Sequence, residues 1–177
     1  MKVYLSQKVL ISREQLEERI AFLGREISDD YRDRKPVLVG VLRGSFVFLS
    51  DLIRAIEIPL EVDFISVASY GNQANSSGVV RLLQDLNTNI IGRDVILIED
   101  IVDTGITLSY LVENLKTRNP SSLVICALLD KKTRRKAELK SLKYVGFEIP
   151  DKFVIGYGLD HAQQYRNLPY ISWVEEE

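Results

Sequence analysis

Four residue types occur once each in the 177 residues: cysteine, histidine, methionine and tryptophan. A single thiol, Cys126, cannot close a disulfide within the chain, and a reducing compartment fits best. Cys126 lies in an apolar run, which makes it a poor nucleophile. The single histidine, His161, stands next to Asp160 and is read as a surface residue, not as part of a catalytic triad. No apolar run approaches the length of a membrane span, and Met1–Gln7 is too polar for a secretory signal. The expectation is a cytoplasmic protein. Neither sign of charge is in excess. The 23 Lys and Arg stand against 25 Asp and Glu, for a net charge of -2. That argues against nucleic-acid or membrane binding driven by charge alone, and leaves room only for a local basic patch. A Walker lysine motif is missing. Gly156-Tyr157-Gly158 lacks the third glycine of a dinucleotide fingerprint and precedes Asp160, not a good helix. There are no internal repeats and no dividing linker.

What is present suits one α/β domain. The length fits a single unit, and a hydrophobic content of 46% is enough for an ordinary core. Ser12 and Gln15 form a capping-box pattern. Leu16, Ile20, Leu23 and Ile27 follow at helical spacing, predicting a helix over about Ser12 to Asp30. Pro36 to Val41 reads as a strand buried on both faces, and Phe46 to Ile56 as a second helix. Val62 to Ala68 and Val79 to Asp85 read as strands joined by Ser69 to Gly78, a polar stretch without periodicity that predicts a mobile hairpin loop. Val95 to Ile98 is the clearest buried strand, Ile106 to Thr117 a third helix, and Leu123 to Leu129 a further strand. Phe153–Ile155 and Tyr170–Trp173 read as short late strands, and Glu175, Glu176 and Glu177 as a solvated tail. Apolar strands alternating with helices predict a mainly parallel central sheet flanked by helices. Ligands of such sheets sit beyond the carboxyl ends of the strands.

The strongest chemical signal lies at one of those ends. Val95 to Ile98 runs into Glu99-Asp100-Ile101-Val102-Asp103-Thr104-Gly105-Ile106-Thr107. Charges directly after a buried strand are costly unless partnered. A helix N-terminus offers free N–H groups and a positive dipole end to a phosphate. Gly105 permits close backbone approach, and Thr104 and Thr107 add hydroxyl donors. Glu99 and Asp100 can accept from a ribose diol or hold magnesium through water. The plainer reading is an acidic cap on a βα unit, with Asp103 capping the helix.

The whole thirteen-residue stretch resembles the motif that type I phosphoribosyltransferases use for phosphoribosyl pyrophosphate (PRPP). The resemblance implies that the turn 103–107, Ile106 included, holds the 5-phosphate and that the acidic pair holds the ribose hydroxyls. Some relatives carry Lys at the Ile106 position, so no cation is assigned there. Leu42-Arg43-Gly44, in Val39 to Ser45, resembles the family's diphosphate loop. The corresponding Leu–Arg peptide can be cis in relatives. Many relatives have Lys where Arg43 stands. Ser69 and Tyr70 resemble the start of the family's catalytic lid, which would exclude water from the reacting centre. Lys131, and the segment from Val145 to Asp160, resemble the hypoxanthine–guanine members. By that resemblance Lys131 donates to the purine 6-oxygen, Phe153 stacks on the ring, and Val154 offers backbone groups to the base edge. Asp160 ligates magnesium and borders the purine, and Arg166 contacts diphosphate. A lysine only donates, which favours a 6-oxo over a 6-amino base. The resemblance covers about residues 36–173.

The implied fold has a core over about 36–130 and a small hood formed by the N-terminal segment and about 131–177. The implied reaction is displacement of diphosphate from C1 of PRPP by N9 of hypoxanthine or guanine, with Mg2+ as cofactor and Asp103 as general base. The implied assembly is a homodimer or homotetramer. Two alternatives stay open: preference for xanthine, and a non-catalytic PRPP-sensing regulator. The regulator should carry an added DNA-binding domain or a broad basic face, and neither is in this sequence.

Overall fold

The computed structural model of the chain describes residues 3–5, 8–70 and 79–176. In chain order its elements are β1 (Val3–Leu5), α1 (Arg13–Asp30), β2 (Val37–Leu42), α2 (Phe46–Ala55), β3 (Glu61–Tyr70), β4 (Val79–Gln84), β5 (Asp94–Val102), α3 (Ile106–Lys116), β6 (Ser122–Asp130), β7 (Leu142–Glu148), β8 (Val154–Ile155) and β9 (Ser172–Glu176). A 3-10 turn at Lys132–Arg134 follows β6.

Successive strand side chains point to opposite faces, and the central strands are apolar on both. Leu38, Ile96, Ile98, Cys126 and Leu128 face one layer, where they meet Leu16, Leu23 and Ile27 of α1 and Phe48 and Leu52 of α2. Val37, Val39, Val95, Leu97, Ile125 and Ala127 face the other, against Leu108, Leu111 and Leu115 of α3. Full burial of each large aliphatic side chain contributes roughly 1.5–3 kcal/mol. The sheet order is β4-β3-β2-β5-β6-β7. Only β4 runs antiparallel to its neighbour. The capping box of α1 is present: the Gln15 N–H donates to the Ser12 hydroxyl, and Ser12 N–H donates to the Gln15 side chain at 2.9 Å.

Several boundaries differ from expectation. β5 does not stop at Ile98. It runs to Val102, because Glu99, Ile101 and Val102 pair with Ala127, Leu129 and Asp130 of β6. Ser69 and Tyr70 belong by their backbone to β3, paired with Val80 and Val79. Their side chains, and the segment 71–78 assigned to the lid, lie outside the described residues. β7 has a mixed pattern that hid it, yet it completes the main sheet beside β6. The N-terminal segment and the chain after β7 supply a second, smaller sheet. It is a three-stranded sheet of order β1-β9-β8. Glu175 is not merely tail. Its backbone pairs with Tyr4, a contact no local pattern announces.

Candidate active site

β5 carries its acidic pair into the sheet. Glu99 and Asp100 are each only 9% exposed. Asp100 N–H donates to the Glu99 carboxylate at 3.2 Å, and Ile101 N–H donates to Asp100 Oδ1 at 2.9 Å. Among the described residues, no lysine or arginine lies within ion-pair distance of either carboxylate. Burial first, and then the neighbouring Asp100, push the Glu99 carboxyl well above its ordinary range. A raised acid contributes its stability below the unfolded pKa and loses it as pH rises through the folded value. Glu99→Gln is therefore expected to raise the melting temperature of the ligand-free protein at pH 7.5 by about 2–4 °C, as ~1 kcal/mol does at this size. The gain should shrink towards pH 4. A variant less stable than the parent at pH 7.5 would contradict the idea that this site is held under electrostatic strain.

After Val102 the chain turns through 103–105 into α3. Gly105 is the N-cap, at φ 79° and ψ -3°, a left-handed conformation that costs glycine little. Asp103 is thus not the cap, and its carboxylate is free to point elsewhere. The first helical bond runs from Ser109 N–H to the Gly105 carbonyl at 2.9 Å. The amides of the turn before it have no partner within the helix. Ile106 N–H lies 3.5 Å from Thr104 Oγ1.

The end of β2 meets this turn. The Leu42–Arg43 peptide is cis. Gly44 lies so close to Asp100 that a Cβ there would collide with the carboxylate. Leu42, Arg43, Gly44, Glu99, Asp100, Asp103, Thr104, Gly105 and Thr107 thereby line one cleft of about 270 Å3. An adjoining cleft of about 560 Å3 holds Arg43 and Arg166 together with Phe46, Phe64 and Gln163. Arg43 Nη1 and Arg166 Nη2 both donate to Gln163 Oε1, at 3.2 and 3.3 Å. Arg166 also donates to the Gly158 carbonyl at 2.6 Å and pairs with Asp160 at 2.7 Å.

Lys131 follows β6 and is only 7% exposed. Its N–H donates to the Val102 carbonyl at 2.9 Å. Its ammonium lies 3.6 Å from Asp151 Oδ1. Arg134 Nε donates to Asp103 Oδ1 at 3.0 Å, and Arg134 Nη1 to Asp151 Oδ2 at 3.4 Å. Asp103 first, and Asp151 with it, raise the Arg134 guanidinium above its ordinary value. Lys136 and Ala137 N–H both donate to the Thr104 carbonyl, at 2.9 and 3.1 Å. The 131–137 segment is therefore not a wholly solvated basic face. Lys131 is buried and the segment packs on the phosphate-type turn. Phe153 is 41% exposed, and its ring meets His161 edge-on at 5.4 Å. His161 is thus a packing partner of Phe153 and not an isolated surface residue. Val154 is buried, its backbone paired with Trp173. Asp160 does not join Glu99 and Asp100: among the described residues, no group of three or more His, Cys, Asp or Glu could hold a metal.

The model of the phosphoribosyl transferase domain family matches residues 10–162, which include the Leu42–Gly44 loop and the α3 turn. The chain belongs to this family. A hypoxanthine-guanine phosphoribosyltransferase of Bacillus subtilis is 52% identical over 166 residues, covering 94% of this chain and 92% of that one. One from Dictyostelium discoideum is 50% identical over 177 residues, covering 98% of each. A Bacillus anthracis hypoxanthine-guanine phosphoribosyltransferase crystal structure superposes with a TM-score of 0.91 at 44% identity, covering 99% and 100%. A hypoxanthine phosphoribosyltransferase from Trypanosoma cruzi, solved as a ternary substrates complex, gives 0.89 at 42% identity, covering 97% and 96%.

Proposed function

We propose that this phosphoribosyltransferase serves purine salvage, moving the 5-phosphoribosyl group of PRPP to N9 of hypoxanthine or guanine and releasing diphosphate. The observation that carries the reading is the convergence at one cleft of the Gly44 loop, the Glu99–Asp100 pair and the N-terminal end of α3, with buried Lys131 beside it. The amides of 104–107 and the Thr104 and Thr107 hydroxyls hold the 5-phosphate. Glu99 and Asp100 accept from the ribose hydroxyls. Arg43, the Leu42–Gly44 backbone and Arg166 neutralise the diphosphate as its bond to C1 lengthens and the sugar becomes oxocarbenium-like. Lys131 donates to the 6-oxygen, Phe153 stacks on the ring, and the Val154 backbone and Asp160 border the base edge. N9 bonds to C1, and Asp103 takes the proton from N7.

The donor set fits magnesium. Two buried carboxylates with no cationic partner among the described residues, and Asp160 at the Arg166 end, offer hard oxygen ligands. Magnesium needs only one or two carboxylates when substrate oxygens complete its shell. Glu99, Asp100 and Asp160 would hold it in two places, where it would supply charge neutralisation of the leaving group. Ser69 and Tyr70 begin the lid of this reading. Assembly as a homodimer or homotetramer and a cytoplasmic setting complete it. No helix among the described residues is long and apolar enough to cross a membrane.

A spectrophotometric assay with PRPP, magnesium and one base at a time tests the proposal. Hypoxanthine and guanine should turn over and adenine should not. Turnover of xanthine above both would move the assignment to a xanthine enzyme. PRPP binding without turnover of any base would make the chain a sensor.

A further inference from the structure

Four charged side chains form a row that starts at the cleft: Asp103, which lines it, then Arg134, Asp151 and Lys131. Two of them, Arg134 and Asp151, have no part in the reaction as described. Arg134 sits between two carboxylates, with Nε 3.0 Å from Asp103 Oδ1 and Nη1 3.4 Å from Asp151 Oδ2. Asp151 sits between two cations, Arg134 and Lys131. Among the described residues it is the only carboxylate within 4.0 Å of the Lys131 ammonium. Two backbone bonds tie the row to the fold. Lys131 N–H donates to the Val102 carbonyl, just before Asp103, and Arg134 N–H donates to the Lys131 carbonyl at 2.9 Å.

Stability alone does not account for the row. Arg134, Asp103 and Asp151 are each 43–48% exposed in their side chains. Ion pairs of that exposure contribute little to folding. Geometry accounts for it better. The 6-oxygen and N7–H of a 6-oxopurine are neighbours on one edge of the ring. The first needs a donor and the second an acceptor. A pocket for that edge must hold a cation and a carboxylate side by side without letting them collapse onto each other. An intervening carboxylate on the lysine and an intervening guanidinium on the aspartate do this. The planar guanidinium holds its N–H directions in one rigid fork, which the rotating ammonium of lysine does not.

We propose that Arg134 and Asp151 are positioning residues that set the separation of Asp103 and Lys131 to match the N7–H and 6-oxygen of the base. The proposal rests on the functional reading above. Double-mutant cycles in steady-state kinetics test it. Arg134→Gln should lower kcat with hypoxanthine roughly tenfold, within the range for members of one hydrogen-bonded network. It should leave the KM for PRPP within about twofold. In an Asp103→Asn background the same change should have no further effect on kcat. Arg134→Lys should stay slow, because it restores charge without the two-pronged contact. Asp151→Asn should raise the KM for hypoxanthine about fivefold, and this effect should vanish in a Lys131→Ala background. Melting curves check that the variants fold. Equal losses in both backgrounds, or a full rate in Arg134→Gln, would overturn the positioning role while Asp103 keeps its own. A nearly normal rate in Asp103→Asn alone would remove the base and the clamp together.

Discussion

Asp103→Asn should lower kcat by about 10² to 10⁴-fold, the contribution of a well-placed general base, while PRPP still binds. The substitution keeps the shape of the side chain and removes its charge and its ability to take a proton. It leaves the neighbouring phosphate turn intact, since the N-cap of α3 is Gly105 and not Asp103. The Glu99–Asp100 pair and the Gly44 loop, assigned to the sugar and diphosphate, are also untouched. The loss should therefore fall on kcat, with the KM for PRPP changed by no more than about threefold. Calorimetric titration with PRPP and magnesium separates the two quantities. A variant that turns over at more than about a tenth of the parent rate would exclude Asp103 as the base.

Lys131→Ala should raise the KM for hypoxanthine and guanine roughly 10- to 100-fold, as expected for losing a charged donor to a buried acceptor. The KM for PRPP should hardly move. Lys131 is 7% exposed and does not line the cleft that holds Arg43 and Arg166. Removing a buried ammonium relieves its desolvation cost, and it leaves no buried carboxylate unpaired. Asp151 would keep Arg134 as a partner. The melting temperature should therefore shift little, and the damage should be confined to the base. Equal weakening for PRPP and purine would mean that Lys131 supports the whole pocket and does not read the 6-oxygen.

The family and the central sheet were legible in the sequence, as were the two stretches, around Gly44 and Asp100, that the fold brings to one cleft. Val95–Ile98 and Leu123–Leu129 are apolar without alternation, which only a strand covered on both faces explains. The capping box at Ser12 and Gln15, and the acidic strand end followed by Thr104-Gly105, are local patterns whose residues are neighbours in sequence. Features made by distant pairing were not legible. β7 reads as mixed because Val145 and Phe147 alternate with polar and small residues, and only β6 beside it makes it a sheet strand. The extension of β3 through Tyr70 depends on Val79 and Val80 across the hairpin. Lys131 and Arg134 sit in one basic run, and nothing local separates the buried cation from its exposed neighbours.

By itself the sequence determined the order of buried strands and the chemistry available at their ends, because hydrophobic periodicity and turn residues act over a few positions. Tertiary structure alone decided that Gly44 abuts Asp100, that Arg43 and Arg166 share Gln163, and that Asp151 joins Lys131 to Arg134. Apart from the local Arg166–Gln163 bond, those contacts span from 17 to 120 residues. They exist because parallel strands bring their carboxyl ends to one edge of the sheet, where charges far apart in the chain must find one another or remain unpaired.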